Sequence, residues 1–401
     1  MTTLLWLSLG LVAFSYVGYP IVLVAWTGLR DALDAVRLLG GDGDRRARQP
    51  ANAAWPKVSV IMAAFDEEAC IRAKVENCLA LDYPPDRLEI VIGCDGCGDR
   101  TAELAREAGR GRVRVVELAP RAGKASVLAR LVPAAQGDLV LLTDANVLLE
   151  REALRAIVRR FRDPEVGAVV GRLALVPAGG EEAGEEDVYW RYETLLKYYE
   201  GRNGCVLGAN GGIYAIRRIL FSPLPADTIV DDFVIPVRIA VRGWRVSFAP
   251  DAVAREEMPA GAGAEFARRA RIGAGNWQAL SRIPELLDPR RGFVFFAFVA
   301  HKLLRWATPG LLAVALAANV AAAAAPGAWG SRALLLAQLA FYALAAAGAR
   351  AGPAPRLAAA AHHFVAMNAA LAVGFWRWAR GSQRAAWERT ERVRPGGVGA
   401  A

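Results

Sequence analysis

The hydrophobic positions of this chain form long unbroken runs at its two ends and short runs, bounded by polar residues, in between. Residues 3–27 carry no charge and are long enough to cross a hydrocarbon core of about 30 Å as one helix. The stretch lacks a basic leading region and a clean small-x-small cleavage site, so it reads as an anchor rather than a cleaved signal. Three further apolar segments, at 306–325, 331–349 and 357–376, each approach the roughly 20 residues that a spanning helix needs, with Pro, Gly and Arg between them. Ahead of them, GFVFFAFVAHKLLRW (292–306) mixes aromatics with His301, Lys302 and Arg305, which suits a helix lying in the membrane interface.

Between residues 56 and 252 the pattern changes to strand, turn and helix, repeated. The runs 58–65, 88–95, 113–119 and 138–146 are short, apolar and end in polar residues, as buried parallel strands do. Charged helical patterns at 67–81, 100–109, 124–136 and 150–162 supply the covering helices. The expected fold class is therefore α/β, a doubly wound, mostly parallel sheet with membrane helices at both ends. Ligands of such sheets bind beyond the carboxyl ends of the strands, which places the chemistry at Ala64 to Glu67, Asp95 to Asp99 and Asp144 to Asn146.

Composition changes this picture in two respects. The 401 residues are 54% hydrophobic and carry a formal charge of +9, which asks for an anionic partner. No nucleic-acid-reading motif with stacking aromatics is present, so nucleic acid is not the expected partner. The arginines gather instead beside the apolar segments, Arg45, Arg46 and Arg48 after the first, Arg377, Arg380, Arg384 and Arg389 after the last, which points to an anionic membrane surface. Four full crossings would put the Arg-rich tail on the outer side with the N-terminus. A re-entrant or interfacial segment near 292–306 or 357–376 would avoid that, so the number of crossings stays open.

Five cysteines (70, 78, 94, 97 and 205) give no disulfide framework. Cys94 and Cys97 form a CxxC, but the three histidines, His301, His362 and His363, all lie near the membrane segments, so no zinc set is available and the thiols read as reduced. No GxGxxG follows a strand and no phosphate-binding GxxxxGK[ST] occurs, which removes the usual signatures of dinucleotide and ATP sites.

Acidic residues stand at three strand ends, Asp66, Asp95 and Asp144. Strand-end acids cluster in space, and a group of carboxylates can engage a polyanion through a hard divalent cation that bridges phosphate oxygens. That combination points to a nucleoside diphosphate. The competing account, that each acid only caps the helix after it, explains any one of them better than all three.

At these residues the chain resembles the family 2 glycosyltransferases, inverting enzymes of the GT-A fold that include cellulose, hyaluronan and poly-N-acetylglucosamine synthases. The resemblance covers about 55–285. AAFDEE (63–68) is similar to the PxYNEE pattern, with Asp66 in place of Asn, and puts Ala64, Asp66 and Glu67 at the donor. DGCGDRT (95–101) resembles DGSTDxT and implies that Asp95 binds the nucleobase side. RAGKASVLA (121–129) resembles RxGKAxALN and brings Lys124 to the donor. TDAN (143–146) stands where the family has its DxD metal motif, so Asp144 and Asn146 are the implied ligands of Mg²⁺ or Mn²⁺, with the Asn carbonyl oxygen replacing a carboxylate.

GANGGIYAIRR (208–218) looks like the acceptor-side loop, which assigns Gly208, Asn210 and Gly211 to the acceptor. Asp231 and Asp232 align with the family's Glu-Asp pair, and Asp232 takes the role of general base. Read from the residues alone, the pair has a lesser alternative as the cap of a helix starting near Phe233. FARRARIGAGNWQAL (266–280) falls where processive members carry QxxRW: Arg271 matches the Arg that steadies the leaving diphosphate, Arg268 replaces Gln on the donor side, and Ile272 replaces Trp. Trp277 is the nearby aromatic that could stack on the acceptor sugar in its stead.

The resemblance implies a nucleotide-sugar donor, a UDP-sugar first, a glycan or lipid-linked acceptor, and a cytoplasmic catalytic domain at the inner membrane. The expected divisions are an anchor at 1–30, a basic linker at 31–55, the GT-A domain at 56–285, an interfacial segment at 286–305, membrane helices at 306–378 and a basic tail at 379–401. Addition of a single sugar to a polyprenyl carrier, and a non-catalytic membrane subunit that retains the fold, are the alternatives.

Overall fold

The computed structural model describes residues 1–39, 55–176, 185–257, 262–349 and 355–383. The basic clusters expected at Arg45, Arg46 and Arg48 and at Arg384 and Arg389 lie outside these residues. Two compact units divide the chain: a sheet unit, mainly Ala25–Gly261, and a helical unit of Met1–Val24, Ala262–Pro289 and Phe295–Gln383.

The N-terminal helix runs as α1 (Thr2–Ala13), a π-helical turn (Phe14–Gly18) and α2 (Tyr19–Leu39). The sheet unit then alternates β1 (Val58–Ala64), α3 (Ile71–Leu79), β2 (Leu88–Asp95), α4 (Thr101–Gly109), β3 (Val113–Leu118), α5 (Lys124–Leu131), β4 (Leu139–Leu142), β5 (Leu148–Leu149) and α6 (Ala153–Arg160). It continues with β6 (Val166–Val176), α7 (Glu185–Arg202), β7 (Tyr214–Arg217), α8 (Asp231–Val241) and β8 (Arg245–Glu257). The eight strands order as β3-β2-β1-β4-β7-β6-β8-β5. β1, β2, β3 and β4 pair in parallel, as do β6 and β8, whereas β7 runs antiparallel to both of its neighbours.

Every residue of β1 is buried, which is what a strand covered by helices on both faces requires. Val58, Val60, Met62 and Ala64 alternate towards a core completed by Ile71, Val75 and Cys78 of α3 and by Ala102, Ala105 and Ala108 of α4. Across the sheet, α5 lies close on Gly93, where an added Cβ would stand 2.4 Å from the Val127 side chain. The four strands and four helices expected in this half form at the expected places.

In the helical unit, α9 (Ala262–Arg282) is followed by α10 (Phe293–Ala297), a second π-helical turn (Phe298–Leu303), α11 (Leu304–Ala323), α12 (Trp329–Gly348) and α13 (Arg356–Ala379). Among the described residues, four apolar helices are long enough to cross a membrane: Thr2–Val36, Phe293–Ala323, Trp329–Gly348 and Arg356–Ala379. The segment expected to lie in the interface up to residue 305 is instead continuous with the following span. No Gly or Pro separates Phe293 from Thr308, and the turn at Gly292, φ +57°, comes before the helix starts. α9 and α13 meet through small residues: a Cβ on Gly374 would stand 2.4 Å from the Ala270 carbonyl oxygen.

Candidate active site

The loops after β1 and β2 are stitched together by side chains acting on backbone amides. Asp66, at φ +51°, accepts from the Gly98 N–H at 2.8 Å. Thr101 Oγ1 accepts from the Glu67 N–H at 2.8 Å, and Asp99 accepts from the Glu68 N–H at 3.1 Å. Arg121 lies over the Phe65 ring with its guanidinium 3.5 Å from the centroid. Ala64 is the last residue of β1, and its carbonyl oxygen accepts from Cys97 Sγ at 3.5 Å. The Cys97 thiol falls to about 7, because Cys94 hydrogen-bonds its thiolate; that effect exceeds the opposing burial.

Asp95, expected on the nucleobase side of the donor, is the last residue of β2. It is fully buried, and its two carboxylate oxygens accept from the Ala122 and Gly123 N–H groups at 2.7 and 2.8 Å. Its charge therefore organises the loop that leads into α5. Lys124 is the first residue of that helix.

Lys124 Nζ reaches Asp144 Oδ1 at 2.7 Å and Asp231 Oδ2 at 3.3 Å. Burial works against its charge, but the carboxylates of Asp144, Asp231 and Asp232 outweigh that and raise its pKa. Asp231 opens α8 and is buried; Asp232, next to it, is half-buried. Gly211 sits between these acids at φ +73°, where a Cβ would stand 2.8 Å from Asp144 Oδ2 and 3.5 Å from Asp232 Oδ2. The Ala209 N–H donates to the Asp232 carbonyl at 2.8 Å, which fixes the glycine loop against the start of α8.

Asn146 turns its amide nitrogen to Glu256 Oε1 at 3.0 Å. Asn210 accepts a hydrogen bond from the buried Lys197 of α7. Gly208, at φ +90°, lies against the Phe233 ring, so this glycine serves close packing. The structure thus brings together Lys124, Asp144, Gly211, Asp231 and Asp232, with Asn146 and Asn210 on flanking turns.

The remaining expected residues belong to the helical unit. Arg268 pairs with Glu265 at 3.6 Å, and Arg271 is half-buried on the same helix. Trp277 stacks on Trp378 with centroids 6.0 Å apart and meets Phe375 and Trp306 edge-on, within a cluster of neighbouring aromatics.

Two residues of this neighbourhood escape a reading by sequence. Lys74 of α3 is fully buried and donates to Thr143 Oγ1 at 2.9 Å and to the Val147 carbonyl, while Thr143 Oγ1 donates to the Gly212 carbonyl at 2.7 Å. One amine thereby grips both ends of the turn that carries Asp144 and Asn146. Burial lowers its pKa, opposed by Cys78, Asp144 and Cys70. Its signal was a lysine on the apolar stripe of Ile71, Val75 and Cys78. Tyr214 of β7 is buried, its hydroxyl has no hydrogen-bond partner, and burial together with Asp231, Asp232 and Asp144 holds the phenol protonated.

The model of the family described as glycosyltransferase-like family 2 matches residues 56–275. The chain is 29% identical over 239 residues to a beta-monoglucosyldiacylglycerol synthase of Synechocystis sp., covering 56% of this chain and 48% of that protein. It is 28% identical over 238 residues to a probable glycosyltransferase of Bacillus subtilis, covering 55% of each. Against a poly-beta-1,6-N-acetyl-D-glucosamine synthase of Staphylococcus aureus the identity is 25% over 240 residues, covering 56% of each. The chain spans about half the length of these curated relatives. Its fold is that of a mannosyltransferase from Pyrobaculum calidifontis solved with GDP-mannose and Mn²⁺, at a TM-score of 0.67 and 23% identity over 94% of this chain and 99% of that one.

Proposed function

The chain belongs to the glycosyltransferase-like family 2, and on that premise we propose that it transfers a sugar, with inversion, from a nucleotide-sugar donor to a glycan or lipid-linked acceptor at a membrane. The observation that carries this reading is the cluster of Asp144, Asp231 and Asp232 around Lys124 and Gly211. Inverting transfer needs one carboxylate to take the acceptor's proton while opposite charge gathers on the leaving diphosphate. Asp231 is buried and paired with Lys124, which leaves the more exposed Asp232 as the base. Gly211, lacking a side chain, lets an acceptor hydroxyl approach between Asp144 and Asp232.

Three carboxylates surround one lysine, an excess of negative charge that suits a divalent cation. Asp144 would hold Mg²⁺ or Mn²⁺, joined by the Asn146 carbonyl oxygen, since the Asn146 amide nitrogen is committed to Glu256. When bound, the ion offsets the charge of the donor diphosphate. Lys124 supplies a second, fixed cation beside it, and Arg271 is assigned the leaving diphosphate through the motif it matches. Asp66, Glu67 and Arg121 shape the donor side, where a UDP-sugar is the first candidate, with Asp95 holding the loop in place.

Nucleotide sugars are charged cytosolic metabolites, so the sheet unit faces the cytoplasm and the helices cross the inner membrane in this reading. Ile272, standing where processive members carry Trp, favours addition of one or a few sugars over a long polymer. The test is nucleoside-diphosphate release by the purified full-length protein across a panel of nucleotide sugars with Mg²⁺ or Mn²⁺, followed by product length. Metal-dependent release from one donor, lost in Asp144→Ala and Asp232→Asn, is expected; full activity in Asp232→Asn would remove the base.

A further inference from the structure

Two polar side chains of α3, Lys74 and Asn77, hold the segment that follows β4. Lys74 is fully buried on the apolar stripe of Ile71, Val75 and Cys78, where a hydrocarbon side chain would avoid the cost of taking an amine out of water. The amine instead places its donors on one turn: Nζ donates to Thr143 Oγ1 at 2.9 Å and to the Val147 carbonyl. Further along the same helix, Asn77 donates to the Leu149 carbonyl and accepts from the Leu149 N–H, both at 2.8 Å. The segment that carries Asp144 and Asn146 is thus fixed to α3 at Thr143, at Val147 and at Leu149.

Thr143 passes this constraint on. An ammonium donates and cannot accept, so the Thr143 oxygen accepts from Lys74 and its own single proton goes to the Gly212 carbonyl at 2.7 Å. Gly212 also packs on the turn, since an added Cβ would stand 2.7 Å from the Leu173 side chain and 3.4 Å from that of Val147. Its neighbour Gly211 is where a Cβ would meet Asp144 Oδ2 at 2.8 Å and Asp232 Oδ2 at 3.5 Å. Lys74, Thr143 and Gly212 therefore form one buried relay from α3 to the turn of Asp144 and on to the loop of Gly211.

We propose that Lys74 is a positioning residue for sugar transfer, acting through Thr143 to hold the Asp144 turn and the Gly211 loop at one spacing. Fully buried, the amine touches neither donor nor acceptor. Lys124 fixes the Asp144 carboxylate, whereas Lys74 fixes the backbone that carries it. The groups assigned to metal and to acceptor lie on separate elements, the turn after β4 and the loop before β7, and the relay ties one to the other. A displacement of about 1 Å between such groups is enough to cost about 100-fold in rate. This role rests on the transfer reaction proposed above.

The test uses the full-length protein in neutral detergent. Affinity for Mn²⁺ alone is read by electron paramagnetic resonance, and kcat by nucleoside-diphosphate release at saturating donor and Mn²⁺. Thr143→Val keeps the shape of the side chain and removes its hydroxyl; Thr143→Ser keeps the hydroxyl. In Thr143→Val both Mn²⁺ affinity and kcat should fall about tenfold or more, the scale for losing a group that orients a metal ligand. Thr143→Ser should recover most of both, and Arg72→Gln, at an exposed residue of α3 paired with Glu107, should change neither. Lys74→Met combined with Thr143→Val removes donor and acceptor together, so it should melt closer to the wild type than Thr143→Val does and yet stay as impaired. Recovery of both readouts along with the melting temperature would make the relay a stability element and overturn the positioning role, as would wild-type values in Thr143→Val. Should Thr143→Val fail to fold, the double variant set against Thr143→Ser gives the same decision. A wild-type protein that releases no diphosphate from any nucleotide sugar would remove the transfer reading instead, and the Mn²⁺ affinities of the variants would still decide whether the relay holds the Asp144 turn.

Discussion

Lys124 Nζ stands 2.7 Å from Asp144 Oδ1, so the first residue of α5 and the turn after β4 share one ion pair. The same amine is 3.3 Å from Asp231 Oδ2 at the start of α8, and it is the cation through which these three elements meet. Lys124→Met keeps the length of the side chain and removes its charge, leaving three carboxylates to repel one another. Donor turnover is expected to fall by about 100-fold or more, the scale seen when one preorganised electrostatic partner is lost. Lys124→Arg should recover part of it. Diphosphate release at saturating donor checks both, with circular dichroism to establish that the variants fold.

Gly211 and Gly243 offer a controlled pair. Both adopt positive φ, +73° and +89°, so alanine at either costs about 1–2 kcal/mol of backbone strain. At Gly243 a Cβ meets nothing within 4 Å, whereas at Gly211 it would stand 2.8 Å from Asp144 Oδ2. Gly211→Ala and Gly243→Ala should therefore lose similar stability in thermal melts, but only Gly211→Ala should lose transfer. Equal activity in the two would mean that the approach of Asp144 to this loop does not matter for the reaction.

Cys97 should be the thiol whose reactivity switches on near neutrality. Its pKa falls to about 7 through the hydrogen bond from Cys94, whereas burial pushes Cys78 and Cys205 up, and the same hydrogen bond followed by burial pushes Cys94 up. The thiolate is the reactive form, so alkylation of Cys97 by iodoacetamide should be slow at pH 5.5, half-maximal near pH 7 and at its plateau by pH 8.5. Peptide mass spectrometry assigns the site, and Cys97→Ser should abolish this phase. A donor nucleotide should protect it, since Cys97 lies in the loop bonded to Asp66 and Ala64.

What the chain disclosed in advance follows from how each element is stabilised. β1, β2 and β4 are buried along most of their length by helices on both faces, so their apolar runs announce them. β8 gave no such signal, because Arg245, Asp251 and Arg255 interrupt it and its pairing partners lie in distant parts of the chain. The acids at the strand ends were legible by position, but their hydrogen-bond partners were not. Asp95 took its partners from the backbone 27 and 28 residues further on, and Lys74 reached a turn about 70 residues away. The long apolar helices at the two ends were legible from length and apolarity. The continuity of Phe293–Ala323 through a π-turn was not, since His301, Lys302 and Arg305 read as an interfacial face until packing enclosed them.

Tyr214 separates stability from chemistry most sharply. Its hydroxyl is buried, makes no hydrogen bond, and lies in the field of Asp231, Asp232 and Asp144, which together with burial keeps it protonated. A buried hydroxyl without a partner is already a cost, so Tyr214→Phe removes no favourable bond from the resting protein. The thermal midpoint should hold or rise, by no more than the equivalent of about 1 kcal/mol. If the hydroxyl donates to an acceptor oxygen or a bridging water once substrate is present, kcat should fall about tenfold while KM for the donor stays within twofold. Turnover unchanged in Tyr214→Phe would make the residue a packing element of β7 alone; a large drop in stability would mean that the hydroxyl is satisfied by ordered water even in the resting state.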